Sequence, residues 1–151
     1  MLRERNWRDR SVLAAVYGRR RVGKTALIEH AFRDRTVWKF EGLEDAPEST
    51  QLALFAKELE RYSPAGDAIS VRSWDEAFRS LDGALAAYNA TGDKPVVVFF
   101  DEFQWMCNGA AELLSDLQRF WDKRWKNSAN VCLVLCGSST SFMLGDVFHP
   151  D

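Results

Sequence analysis

The residues with the clearest chemical potential lie at positions 18–25, which read GRRRVGKT. This order of residue types matches the GxxxxGK[ST] pattern of a phosphate-binding loop (P-loop). Its glycines let the backbone wrap closely around a phosphate, so that successive N–H groups point at it from the N-terminus of a helix. Lys24 would reach the β- and γ-phosphates as a positive charge, and the hydroxyl of Thr25 would bind Mg²⁺. The residues expected to contact a nucleotide are Gly18, Arg19, Arg20, Arg21, Val22, Gly23, Lys24, Thr25 and Ala26.

The three arginines of this segment allow two interpretations. Arg19, Arg20 and Arg21 could add positive potential for a triphosphate. They could equally face solvent or a partner, since the variable positions of such loops often point outward, and this second orientation is the one we favour.

A second chemical element is the carboxylate pair Asp101 and Glu102, which follows the apolar run VVVFF. A buried strand with this ending places carboxylates at the carboxyl edge of a sheet, where ligands of open α/β sheets bind. We expect Asp101 to hold Mg²⁺ through water and Glu102 to activate the attacking water as a general base. Lys24 and Glu102 are thus the expected catalytic residues. A carboxylate in this role favours hydrolysis over a small-molecule kinase reaction, and the sequence has no Asn-Lys-x-Asp element for guanine.

A third candidate is Ser138, the first of several small hydroxyl residues that follow the last apolar run. Its hydroxyl could hydrogen-bond the γ-phosphate or the attacking water as a sensor. The alternative, a polar loop or helix cap, stays open at this point. A nucleophilic serine is disfavoured because the segment lacks the second glycine of GxSxG.

The elements that must position these residues alternate between strand and helix, the pattern of a parallel sheet covered on both faces. Apolar runs predict strands at residues 11–17, 36–40, 96–100 and 131–136. Residues 11–17 suit a strand that is buried on both faces, and residues 96–100 form the clearest buried strand. Apolar spacing predicts a helix from Lys24 and three more that are capped by Asp45, Ser73 and Asn108. The expected fold class is α/β, a three-layer P-loop NTPase core with a mainly parallel sheet of about four strands.

Size and composition agree with one soluble domain over residues 1–151. The net charge of −2 argues against a surface built to bind nucleic acid directly. No apolar stretch is long enough to span a membrane, and no signal peptide is evident, so we expect a cytoplasmic protein. Cys132 and Cys136, about 13 Å apart on a predicted strand, are too distant for a disulfide and are expected to be buried thiols, like Cys107.

Taken together, these motifs resemble the archaeal-type ATPase family, in the STAND/AAA-like branch of P-loop proteins. The resemblance rests on VYGRRRVGKTALIEHAF, VVVFFDEFQWM and LVLCGSSTSFM, between about residues 12 and 143. It implies a sheet in which the strand before GSS lies between the P-loop strand and the Asp-Glu strand. It also assigns roles in binding and hydrolysing Mg-ATP to Lys24, Thr25, Asp101 and Glu102, and a sensor role to Ser138.

The same resemblance implies a last strand, a lid and an upstream segment that this sequence does not contain. We therefore expect the core of a larger ATPase, with low activity and with the P-loop strand on an open sheet edge that suits a protein partner or self-association. The alternative is a non-catalytic nucleotide-binding or interaction fragment of such an ATPase.

Overall fold

The structure, a computed structural model, describes residues 12–17, 23–90, 95–108, 110–128 and 131–137. Its elements in chain order are β1 (Val12–Tyr17), α1 (Lys24–Ala31), β2 (Val37–Glu41), α2 (Glu48–Tyr62), α3 (Trp74–Asn89), β3 (Val96–Asp101), α4 (Phe103–Met106), α5 (Leu113–Phe120), a π-helical turn (Trp121–Trp125) and β4 (Val131–Gly137). No helix in these ranges has the length and apolar character needed to cross a membrane.

The four strands form one sheet in the order β1-β4-β3-β2, and every neighbouring pair is parallel. This confirms the predicted parallel sheet, with β4 between the strand that leads into the P-loop and the strand that ends in Asp101. All residues of β3 and β4 are buried, as their unbroken apolar runs predict. The prediction of full burial is wrong for β1, where Leu13 is 39% exposed, because this strand has a described neighbour on one side only.

Helices cover both faces of the sheet and give the predicted three layers. On one face, α1 packs Ile28 against an apolar cluster that includes Val97 and Phe99. On the other face, α2, α3 and α5 enclose a larger, aromatic core in which Phe40 and Phe55 stack with ring centroids 4.4 Å apart. Burial of apolar surface is the main favourable term in folding, and such rings contribute a large share of that surface.

Two of the three predicted helix caps are wrong. α2 begins at Glu48 after Pro47, whereas Asp45 has a left-handed backbone with φ of 57°. Proline disfavours helical geometry in the residue before it, so the helix cannot start as early as Asp45. The cap of α3 is confirmed, because the Ser73 side chain accepts a hydrogen bond from the Glu76 N–H at 3.2 Å.

Asn108 does not cap a long fourth helix, because the segment after Glu102 folds into separate pieces. Buried Phe103 and Met106 turn the chain into the four-residue helix α4, and Asn108 closes that turn through a hydrogen bond from its N–H to the Trp105 carbonyl at 3.2 Å. The next helix, α5, then begins at Leu113.

Candidate active site

The first turn of α1 presents the described part of the predicted P-loop. Gly23 lies at the N-cap with φ of 73° and ψ of 27°, a left-handed conformation that favours glycine. Lys24 follows with only 9% exposure, which is rare for a lysine. Thr25 is half-buried, and Ala26 is exposed on the outer side of the helix. The predicted contacts Gly18, Arg19, Arg20, Arg21, Val22 and Ser138 lie outside the described residues.

The end of β3 brings Asp101 to this turn. Thr25 Oγ1 donates a hydrogen bond of 2.8 Å to Asp101 Oδ2. The other carboxylate oxygen, Oδ1, accepts a hydrogen bond of 3.0 Å from the Glu102 backbone N–H. Asp101 is 4% exposed, so these contacts fix a buried carboxylate in one orientation. A hydroxyl and a carboxylate fit Mg²⁺, which prefers oxygen ligands and takes few of them from the protein when phosphates supply the others.

Two residues that the sequence analysis did not assign to the site also contact Asp101. Lys39 on β2 forms an ion pair with it, with 3.8 Å between Nζ and Oδ2. The thiol of Cys136 on β4 lies near the carboxylate. Burial, with the negative charge of Asp101 beside it, raises the pKa of Cys136 to about 12, although nearby Lys24 acts in the opposite direction. The Cys136 thiol therefore stays protonated at neutral pH.

Glu102 follows at once, in a left-handed conformation with φ of 51° that makes it the N-cap of α4. Such a backbone is unusual for a residue other than glycine and needs support from its surroundings. Its Oε2 accepts a hydrogen bond of 3.3 Å from Gln104 Nε2. The carboxylate is half-buried, so a water molecule can reach it while its orientation is restrained.

The loop after β2 supports the left-handed backbone of Glu102. The Gly42 N–H donates to the Asp101 carbonyl at 2.9 Å, which extends the β2–β3 pairing to the site. The fit is close: a Cβ at Gly42 would lie 2.4 Å from the Glu102 carbonyl oxygen and 2.7 Å from the Met106 nitrogen.

Gln51, buried on α2, ties this loop to α4. Its side chain accepts a hydrogen bond from the Leu43 N–H at 3.0 Å and donates to the Leu43 carbonyl at 2.6 Å and to the Trp105 carbonyl at 3.2 Å. Sequence reasoning missed this residue, although its signal is present: Gln51 is a polar side chain on the same helical face as Phe55 and Leu59.

Comparison with known proteins gives a consistent picture. A family profile described as an ATPase domain predominantly from Archaea matches residues 2–149. No curated protein is similar enough to count as a match.

Solved structures with this fold include three of archaeal and fly origin. A Walker-type ATPase of Pyrococcus abyssi is 22% identical, with a TM-score of 0.52, over 83% of this chain and 40% of its own. The ORC2 protein of Aeropyrum pernix, solved in ADPNP and ADP complexes, is 23% identical, with a TM-score of 0.57, over 93% of this chain and 40% of its own. A chain of Drosophila ORC bound to DNA is 11% identical, with a TM-score of 0.53, over 89% of this chain and 70% of its own.

At these identities the likeness establishes the fold, and this chain spans about 40% of the length of the two archaeal structures. The family is established separately, because its profile matches residues 2–149 of 151. This chain belongs to the family of ATPase domains found predominantly in Archaea.

Proposed function

We propose that this chain binds ATP with Mg²⁺ between the start of α1 and the end of β3 and hydrolyses it to ADP and phosphate. The observation that carries the proposal is the 2.8 Å hydrogen bond from Thr25 Oγ1 to Asp101 Oδ2, which joins residues 76 positions apart in the sequence. It brings together the two motifs whose chemistry is complementary, and it does so beside the buried Lys24.

Each residue then has a defined task in binding. Lys24 and the backbone N–H groups at the start of α1 bind the phosphate oxygens. Thr25 and Asp101 would hold Mg²⁺, which when bound supplies positive charge against the β- and γ-phosphates. The hydrogen bonds to Asp101 keep its oxygens in place before the ligand arrives, so little reorganisation is needed.

Glu102 is the proposed general base. It accepts a proton from water as the water oxygen bonds to the γ-phosphorus, and the bond from that phosphorus to the bridging oxygen breaks to leave ADP. Gln104 orients the Glu102 carboxylate through its hydrogen bond. Ser138 stays the predicted sensor of the γ-phosphate.

Replacement of the base tests this function. Glu102→Gln keeps the size of the side chain but removes its basicity, so turnover should fall by about 10²- to 10⁴-fold. Phosphate release with Mg-ATP measures turnover, and binding of a fluorescent ATP analogue should be retained. Glu58→Gln, the same change on the surface of α2, is the control. Equal phosphate release by wild type and Glu102→Gln would remove Glu102 as the base.

The second candidate function is a non-catalytic nucleotide-binding or interaction fragment of such an ATPase. It is favoured by length, because this chain spans about 40% of the two archaeal structures. Elements elsewhere in a longer protein can exclude water and complete a site. In this case ATP would stabilise the wild type, but phosphate release would be no faster than in Glu102→Gln.

Our proposal also covers the organisation of the protein. We infer a single core domain over residues 1–151, of the STAND/AAA-like type, with ATP as the ligand and another protein, or a second copy, as partner. The net charge of −2 gives no support for direct contact with nucleic acid.

A further inference from the structure

We propose that Lys39 is a tethered cation that bridges Glu29 and Asp101 when Mg²⁺ is absent, and that it leaves Asp101 but keeps Glu29 when Mg²⁺ binds. By competing for Asp101, Lys39 would set the Mg²⁺ concentration at which Mg²⁺ and the nucleotide bind to the site. Lys39 is thus a positioning residue, and the inference rests on the proposed Mg-ATP site.

The first observation is where the lysine charge lies. Lys39 Nζ is 3.8 Å from Asp101 Oδ2, the same oxygen that accepts the hydrogen bond from Thr25. The side chain reaches it across the neighbouring strand, with Nζ 5.8 Å from the centre of the Phe99 ring. A positive charge therefore lies next to the carboxylate that is expected to bind a second cation.

The second observation is that Lys39 has another carboxylate within reach. Its Nζ is 3.5 Å from Glu29 Oε1 on α1. The two carboxylates differ in environment, because the Asp101 side chain is 6% exposed and that of Glu29 is 56% exposed. Lysine carries a compact charge on a flexible stem, so a small rotation can move the ammonium away from Asp101 while it keeps its contact with Glu29.

Electrostatics gives the direction of the effect. A divalent cation that binds beside Asp101 is repelled by the ammonium, and solvent moderates this repulsion because the Lys39 side chain is 32% exposed. The repulsion between Mg²⁺ and the ammonium is weaker when Lys39 moves off Asp101 and stays with Glu29. Removal of the Lys39 charge should therefore strengthen Mg²⁺ binding. Removal of the Glu29 charge should leave Asp101 as the partner of Lys39 and so weaken Mg²⁺ binding.

The backbone at Lys39 is held independently of this charge. The hydroxyl of Tyr62 accepts a hydrogen bond from the Lys39 N–H at 3.1 Å and donates to the Lys39 carbonyl at 3.4 Å. The flanking side chains of Trp38 and Phe40 are buried. Substitution of the lysine side chain should therefore leave β2 in place.

The test compares the Mg²⁺ dependence of nucleotide binding in matched variants. Binding of a fluorescent ATP analogue is followed as Mg²⁺ is titrated, and Mn²⁺ binding to the same complex is measured by electron paramagnetic resonance. In Lys39→Met the Mg²⁺ concentration at half-maximal binding (the midpoint) should fall by roughly two- to fivefold, and in Glu29→Gln it should rise by roughly two- to threefold, within the range of partly exposed ion pairs. Lys39→Arg, which keeps the charge, should stay close to wild type.

Lys57→Met removes the same charge from the exposed side of α2 and controls for net charge. High salt should reduce the difference between the variants. An unchanged or raised midpoint in Lys39→Met overturns the inference, as does a shift of Lys39→Met and Glu29→Gln in the same direction. If Lys39→Met does not fold, the sign of the Glu29→Gln shift decides.

Failure of the inference differs from failure of the proposed function. If the wild type shows no Mg²⁺-dependent ATP binding, the proposed site is wrong and the role of Lys39 falls with it. If the wild type loads but the midpoints of all variants agree, only the role of Lys39 is wrong.

Discussion

At the scale of single residues, Asp101 receives its contacts from four parts of the chain. Thr25 on α1, Lys39 on β2 and Cys136 on β4 reach its side chain, and the backbone of Glu102 completes the set. Thr25 and Lys39 are distant in sequence from Asp101, so the tertiary fold, and not only the adjacent Glu102, holds the carboxylate. Such preorganisation is what a metal- and phosphate-binding site requires.

The cysteines give a prediction at this scale. All three carry thiols rather than disulfides, and Cys132 and Cys136 are buried while Cys107 is half-buried. Burial raises the pKa of both Cys132 and Cys136 to about 12. At pH 8 a thiol reagent should therefore react quickly with Cys107 alone, because the other two are neither accessible nor ionised.

The same shifts predict how stability depends on pH. A thiol whose pKa is higher in the folded state than its ordinary value of 9.0 binds its proton more tightly when folded. Its contribution is complete below pH 9 and is lost as the pH rises towards 12, so the free energy of unfolding should fall over that range. Denaturant unfolding at several pH values measures this. In the labelling experiment at pH 8, fast reaction of all three thiols in the folded protein would contradict the burial of Cys132 and Cys136.

Sequence alone predicts Lys24, Thr25, Asp101 and Glu102 as site residues, because their motifs are local and each residue type has a clear chemical use. The structure brings Thr25 and Asp101 into contact, and the catalytic roles stay predictions. Sequence did not reveal Lys39, whose importance depends on which strand lies beside β3 and in which register. Cys136 was predicted as a buried thiol but not as a neighbour of Asp101, for the same reason.

At the scale of elements, Glu102 depends on the loop that follows β2. Gly42 contacts the backbone of Glu102 and Met106, and Gln51 joins Leu43 to Trp105. This loop and α4 thus form one unit behind the proposed base. Its role can be tested without a change in any group that would touch the nucleotide.

Gly42→Ala is the sharpest change, because its Cβ would lie 2.4 Å from the Glu102 carbonyl oxygen. The backbone must move, so the free energy of unfolding should fall by about 1–3 kcal/mol and phosphate release should fall as Glu102 is displaced. Gly83→Ala is the matched control on α3, where a Cβ meets nothing within 4 Å. Helix propensity predicts a gain of about 0.5–1 kcal/mol for that control. If the two variants unfold alike, the close packing at Gly42 is wrong.

The elements also show where local patterns fail. The strands were predictable because VVVFF and VCLVLC are unbroken apolar runs. Asp45 and Asn108 have suitable side chains for caps, but Pro47 sets the start of one helix and the burial of Phe103 and Met106 creates an extra one. Pro47 is a local signal that outweighs the cap residue Asp45, whereas the packing of Phe103 and Met106 is tertiary and has no local pattern.

At the scale of the whole molecule, the two outer strands of the described sheet differ. On β2, the Tyr62 hydroxyl already engages the outward N–H and carbonyl of Lys39, which blocks the addition of another strand there. On β1, Leu13 is 39% exposed, and among the described strands β4 is its one neighbour. We therefore expect any association through the sheet, with a partner or a second copy, at β1.

The molecule as a whole is proposed to be stabilised by its ligand. A ligand that binds only the folded state at about 100 times its Kd stabilises by about 2.7 kcal/mol. For a chain of this size, that corresponds to a rise in Tm of about 5–10 °C. Lys24→Ala should remove this rise, because the phosphate charge is then unbalanced.

Thermal unfolding of wild type and Lys24→Ala, each with and without Mg-ATP, is therefore the most direct test of ATP binding at the start of α1. We expect Mg-ATP to raise the Tm of the wild type by about 5–10 °C and to leave that of Lys24→Ala unchanged. Equal stabilisation of both proteins, or of neither, would contradict the proposed site.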